Sequence, residues 1–159
     1  MLRALAVVAL AATAAAVSAA AAPDAARTLR YRVAGAPWNL GASSACPDGS
    51  TRYDIVTTAG RRIGTATICI LASTKTDLAD GGVVVTQRVL ETDAFAAGWL
   101  RTRATQVYRN TADGRTARIS VRGTAAGGTG RYQGARGTVT GAGTRHGRTI
   151  DVAVTVRLR

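Results

Sequence analysis

Gly123-Thr124-Ala125-Ala126-Gly127-Gly128-Thr129-Gly130-Arg131-Tyr132-Gln133-Gly134-Ala135-Arg136-Gly137-Thr138-Val139 is the stretch that decides the fold. Six of these seventeen residues are glycine, and one aromatic, Tyr132, sits among them. Glycine serves where the backbone takes φ > 0 or approaches another backbone closely. A glycine run that leads straight into an alternating segment predicts a tight corner entering a strand. In that corner Gly127, Gly128 and Gly130 shape the turn and Tyr132 plugs it. Gly134 and Gly137 let the next strand coil.

The segments on either side alternate with period two, the mark of half-buried strands. Before the corner, 115–122 points Ala117, Ile119 and Val121 one way and Arg118, Ser120 and Arg122 the other. After it a strand runs from about 134 to 143, and Thr144-Arg145-His146-Gly147 reads as a hairpin turn. The final strand is the clearest, with Ile150, Val152, Val154, Val156 and Leu158 on one face. Further strands are predicted at 28–33, 51–58, 62–71, 82–91 and 98–108. Loops are expected at 34–50 and 73–80, and a connection at 92–96. Eight short strands without a convincing helix fit an all-β, eight-stranded antiparallel barrel, with a two-sheet sandwich as the alternative.

Residues 1–22 have one basic residue, an alanine-rich apolar run and small residues at the end, the pattern of a secretory signal peptide. A membrane-spanning helix is the alternative, but no basic stop-transfer cluster follows. Cleavage after Ala20 or Ala22 leaves a single domain, 23–159, secreted and without stable membrane insertion. In an exported chain the two cysteines, Cys46 and Cys69, favour a disulfide, with two free thiols as the alternative. No histidine- or cysteine-rich spacing argues for a metal.

The formal net charge is +12, which would attract nucleic acid, anionic lipid or acidic polymers. Arginine supplies nearly all of it. The arginines are spread one or two per strand, and aromatics are only 4% of the chain, too few for a base-stacking surface. The expectation is therefore no nucleic-acid partner and solvated outer strand faces. Hydrolase and nucleotide motifs are absent from the sequence.

The run Gly127-Gly128-Thr129-Gly130-Arg131-Tyr132-Gln133-Gly134-Ala135-Arg136-Gly137 closely resembles the motif of allene oxide cyclase-like and dirigent-like barrels. Gly81 to Gln87 and Glu91 to Phe95 are similar to the strand that precedes that motif in the cyclases. The resemblance covers roughly residues 50–159. It implies a calycin-like barrel that binds a small apolar or phenolic molecule and orders it for cyclisation or coupling, with no cofactor and no metal. It also implies a pocket arginine, corresponding most naturally to Arg136. Members of these families often associate, so an oligomer is compatible with the resemblance.

The strand faces nominate the site. The more apolar face of 82–91 carries Gln87 and Glu91, and that of 98–108 carries Thr102, Gln106 and Tyr108. A carboxylate in a half-apolar lumen has a raised pKa and can act as general acid or base, which makes Glu91 the catalytic candidate. Tyr108 and Arg136 join it, and Tyr53, Gln87 and Gln106 are candidate ligand contacts. Arg136 is out of phase with Val139 and faces outward unless the glycines bulge the strand. A non-catalytic ligand carrier and a cationic envelope protein contacting anionic polymers are the other readings.

Overall fold

In the computed structural model, residues 27–159 are described; the expected leader, 1–22, lies outside them. The strands are β1 (Arg27–Gly41), β2 (Ser50–Val56), β3 (Arg62–Asp77), β4 (Val83–Phe95), β5 (Gly98–Asn110), β6 (Thr116–Gly128), β7 (Arg136–His146) and β8 (Thr149–Leu158). Each pairs antiparallel with its chain neighbours, and β8 pairs back to β1, so the sheet closes into a barrel. Closure excludes the sandwich alternative and leaves no open edge.

Alternation decides what faces inward. β8 contributes Ile150, Val152, Val154, Val156 and Leu158, all buried. Burying each such side chain stabilises the fold by about 1.5–3 kcal/mol. Small residues share the interior with them, Ala104 and Ala125 on β5 and β6 and, beside Val154 and Val152 on the neighbouring strand, Gly141 and Gly143 of β7. Large side chains against small ones fill a barrel interior of this size.

The glycine corner joins β6 to β7 and folds into a single turn of 3-10 helix, Gly130–Tyr132. Thr129 N–H donates to the Trp99 carbonyl at 2.8 Å and Arg131 N–H to the Ala97 carbonyl at 3.1 Å. The corner therefore lies against the β4–β5 turn. Gly130 takes φ +57°, and a Cβ there would clash with the Ala97 carbonyl oxygen. A Cβ on Gly128 would strike the Trp99 carbonyl oxygen. This close approach buries Tyr132, whose ring packs on Phe95 with centroids 5.5 Å apart. Phe95 in turn meets Tyr31 edge-on at 5.6 Å. The corner thus plugs one end of the barrel, with Tyr132, Phe95 and Tyr31 in successive edge-on and tilted contact.

Several segments are longer than the sequence pattern predicts. β1 continues to Gly41 through two register shifts, the first between Ala34 and Trp38. Pro37 sits in that irregularity, where a missing N–H costs no ladder bond. The expected polar loop 73–80 is mostly strand, because Ser73 to Asp77 pair with Gln87 to Val83. Both faces there are wet, so hydrophobic alternation gives no signal. β4 also runs on to Phe95, and β7 ends at His146 rather than near 143.

The disulfide is present: Cys46 bonds Cys69, with Cα atoms 5.2 Å apart. It ties the loop after β1 to β3 across 23 residues of sequence. Replacing both cysteines by serine is expected to cost about 3 kcal/mol on the chain-entropy account. Tm should fall by roughly 10 °C for a domain of this size. Calorimetry of the oxidised protein and the double variant checks this; equal Tm values would contradict it.

Candidate functional site

Inside the barrel, four polar side chains are buried: Glu91, Asp93, Thr102 and Gln106. All are in phase with apolar neighbours, Val89 on β4 and Leu100 and Ala104 on β5. Glu91 lies directly across the ladder from Thr102, and Asp93 across from Leu100. Burial of these groups follows from strand phase, and their hydrogen bonds determine what they can do.

Asp93 accepts a short hydrogen bond from the Tyr31 hydroxyl. Gln106 Nε2 lies 3.5 Å from Glu91 Oε2, and the Tyr108 hydroxyl donates to Gln106 Oε1 at 2.9 Å. A connected series therefore runs from Tyr108 through Gln106 to Glu91, ending beside the Asp93–Tyr31 pair. Burial pushes the Glu91 carboxyl well above the ordinary carboxylate range, and the neighbouring Asp93 charge pushes it further. Burial also raises Asp93 to about 6, although hydrogen bonds from Tyr31 and Glu91 hold it down. Two adjacent carboxyls in unequal surroundings separate into an acid and a base. Glu91 keeps the proton, and Asp93, which accepts from Tyr31, carries the charge.

The interior around this set is nearly full. The cavity bounded by Glu91, Thr102, Gln106, Tyr108 and the apolar side chains of β6 to β8 measures about 20 Å³. That is room for about one water. A larger space opens above it at the mouth, the end away from the glycine corner. This cup measures about 280 Å³ and is lined by Tyr53, Ile68, Val85, Gln87, Tyr108, Asn110 and Arg145, among others. Ile68 and Tyr108 line both spaces, so Tyr108 stands at the boundary between the cup and the acid pair.

Arg145 is the residue that sequence reading missed. The sequence pattern puts it in a turn, but it is a β7 residue paired with Ala117 and Ile150, in the inward phase set by Val139. Its guanidinium donates to Asn110 Oδ1 at 2.6 Å, to the Gly114 carbonyl at 3.0 Å and to the Gly147 carbonyl at 2.6 Å. No carboxylate pairs with it among the described residues. A fixed positive charge thus stands at the rim of a half-apolar cup. The sequence pattern also gives no sign of Asp93 and Tyr31, Asp93 because its alternation fades after Glu91 while β4 runs on to Phe95.

Of the nominated residues, the structure gathers Glu91, Gln106 and Tyr108 in the interior series and Tyr53 and Gln87 in the cup. Arg136 does not join them. It is exposed on the outer face, three residues before buried Val139, and donates to the Ala135 carbonyl at 3.2 Å. The glycines do not bulge β7 enough to turn it inward, because β6 and β7 pair in unbroken register from Ala126↔Arg136 onward. Among the described residues no group of three or more His, Cys, Asp or Glu side chains is placed to hold a metal. Compared with known proteins, the chain matches no family model and no curated protein.

The folded-state values of Glu91 and Asp93 lie above the unfolded ones. The folded protein therefore holds extra protons between the two. The contribution of this pair to stability is full below about pH 4 and is lost as pH rises through about 6 and beyond. Glu91→Gln keeps the shape but removes the higher-lying titration. Its Tm should exceed that of the unsubstituted protein by several degrees at about pH 8 and converge with it near pH 4. Thermal unfolding across pH measures this, and parallel curves for the two proteins would contradict it.

Proposed function

We propose that this chain is an exported barrel that binds one small, mostly apolar ligand with an acidic or phenolic oxygen at its mouth. The reading rests on one arrangement: an apolar cup with Arg145 fixed at its rim and Tyr108 at its floor. Ile68, Ile70 and Val85 offer the ligand's ring or chain a dry wall. Arg145 attracts its oxygen, and a charge-assisted hydrogen bond there is stronger than a neutral one. The Tyr108 hydroxyl spends its own proton on Gln106 and so presents lone pairs to a ligand hydroxyl. A cup of about 280 Å³ lies just under the usual range for small-molecule pockets and suits a single substituted ring.

The acid pair beneath gives the same site a capacity for proton transfer. Glu91 holds a proton in a dry interior and is joined to the cup floor through Gln106 and Tyr108. A ligand whose cyclisation or coupling requires a proton would draw on this series, without a cofactor. The resemblance of the glycine corner to allene oxide cyclase-like and dirigent-like barrels supports a reading of this kind. The disulfide is compatible with an oxidising, extracellular setting.

The test is titration with 8-anilinonaphthalene-1-sulfonate, an apolar aromatic anion. Saturable micromolar binding is expected. Arg145→Gln should weaken it by about tenfold, the worth of one charge-assisted hydrogen bond. Val85→Trp, which fills the cup, should abolish it. Binding that is unchanged in both variants would overturn the assignment of the cup.

A further inference from the structure

The outer face of β4, β5 and β6 carries Arg88, Arg101, Arg103, Arg109, Arg118 and Arg122, all exposed. Its strands hold no outward carboxylate. The acids of β4, Glu91 and Asp93, are buried inside, and Asp113 lies off the strands in the β5–β6 turn. None of the six arginines is in an ion pair among the described residues. The register concentrates them. Arg88 and Arg122 flank Thr105 from either side, and Arg103 follows two residues before Thr105 on the same strand. Arg109 and Arg118 stand directly opposite each other, a like-charge pairing that destabilises a sheet. A scattered charge pattern would place an acid or a neutral residue there.

Arg88, Arg103 and Arg122 also border an open groove of about 650 Å³ whose sides include Leu71, Leu90 and Thr124. Same-face residues along a strand stand about 7 Å apart, and next-but-one strands about 10 Å apart. The face therefore presents a lattice of guanidinium forks at the spacing of a chain with one anionic group per short repeat. Guanidinium forks donate two parallel hydrogen bonds to a tetrahedral phosphate. The hydroxyls of Thr105, Ser120 and Thr124 lie exposed between the arginines as neutral donors for the remaining oxygens. Nucleic acid fits poorly, because the one outward aromatic on this face, Trp99, is covered by Arg101 at 4.9 Å.

We infer that the β4–β6 outer face is a docking surface for a linear phosphodiester polymer that carries no bases, separate from the ligand cup. The polymer lies across the Arg88–Arg103–Arg122 groove and is held by charge and bidentate hydrogen bonds.

The experiment measures binding of the full, disulfide-bonded chain to poly(glycerol phosphate) by calorimetry. Arg88→Gln/Arg103→Gln/Arg122→Gln is compared with Arg30→Gln/Arg148→Gln/Arg157→Gln, which removes the same charge from other exposed positions. The face variant should lose about tenfold or more in affinity and the control variant no more than about twofold. Binding of the unsubstituted protein should weaken steeply as salt rises from about 0.05 to 0.5 M. Equal losses in the two variants would show that net charge alone attracts the polymer and would overturn the docking surface. So would tighter binding to oligo(dT), or binding to phosphatidylglycerol vesicles with the same arginine dependence. Melting curves of both variants, expected to match the unsubstituted protein, exclude misfolding as the cause of a loss.

Discussion

The rest of this structure depends on the pairing of β1 with β8. Nine residue pairs, Arg27↔Leu158 through Gly35↔Ile150, join the two ends of the described chain. Without them the sheet would present two edges of unpaired N–H and C=O groups. With them each strand has one face turned to an enclosed interior. Burial is then set by phase rather than by residue type. A valine at an inward position fills the core, and a glutamate there is carried in with it. Val89, Glu91 and Asp93 enter the barrel together because they are two residues apart on one strand.

That constraint makes the interior acids expensive. An isolated carboxylate in an apolar medium is held at a cost of several kcal/mol, and even a paired one is often no more stable than a well-packed hydrophobe. Apolar side chains at Glu91, Asp93, Thr102 and Gln106 would complete the core begun by β8. The fold limits the cost in two ways. Glu91 stays neutral, and Asp93 accepts a short bond from Tyr31, itself buried and held by Phe95. Thr102 Oγ1 and the second carboxylate oxygen of Asp93, Oδ1, are left without a partner in the protein. A polar set that opposes stability and still makes mutually directed hydrogen bonds is the arrangement expected of a working site rather than of a scaffold.

The sequence signals its strands where one face is dry and the other wet. β6 and β8 alternate cleanly for that reason, and their inward residues are those expected. The signal fails where both faces are wet. Residues 73–77 are held as strand only by their ladder to β4, so nothing in their side chains announces it. It fails again at Glu91-Thr92-Asp93, where polar character suggests a turn but pairing with β5 carries the strand to Phe95. Continuing the alternation by one step would have brought Asp93 inside. The same step, taken forward from Val139, reaches Gly141, Gly143 and Arg145 and finds the rim arginine. Taken backward from Val139, it skips Arg136, so phase and family resemblance disagree there and the structure follows phase. The disulfide was legible because two cysteines permit a single pairing.

The glycine corner and the acid pair lie at different depths of the barrel, yet a continuous series of contacts joins them. Gly128 and Gly130 let two turns touch backbone to backbone, which no side chain at either position would permit. That approach brings Tyr132 under the barrel and onto Phe95. Phe95 holds Tyr31 edge-on, and Tyr31 directs its hydroxyl at Asp93. The plug therefore does two things. It closes one end to water, so that the acids communicate with solvent by way of Tyr108 and the cup. It also fixes the donor that keeps Asp93 charged and leaves the proton on Glu91. The corner touches neither carboxyl directly, and the division of the proton between them still depends on it.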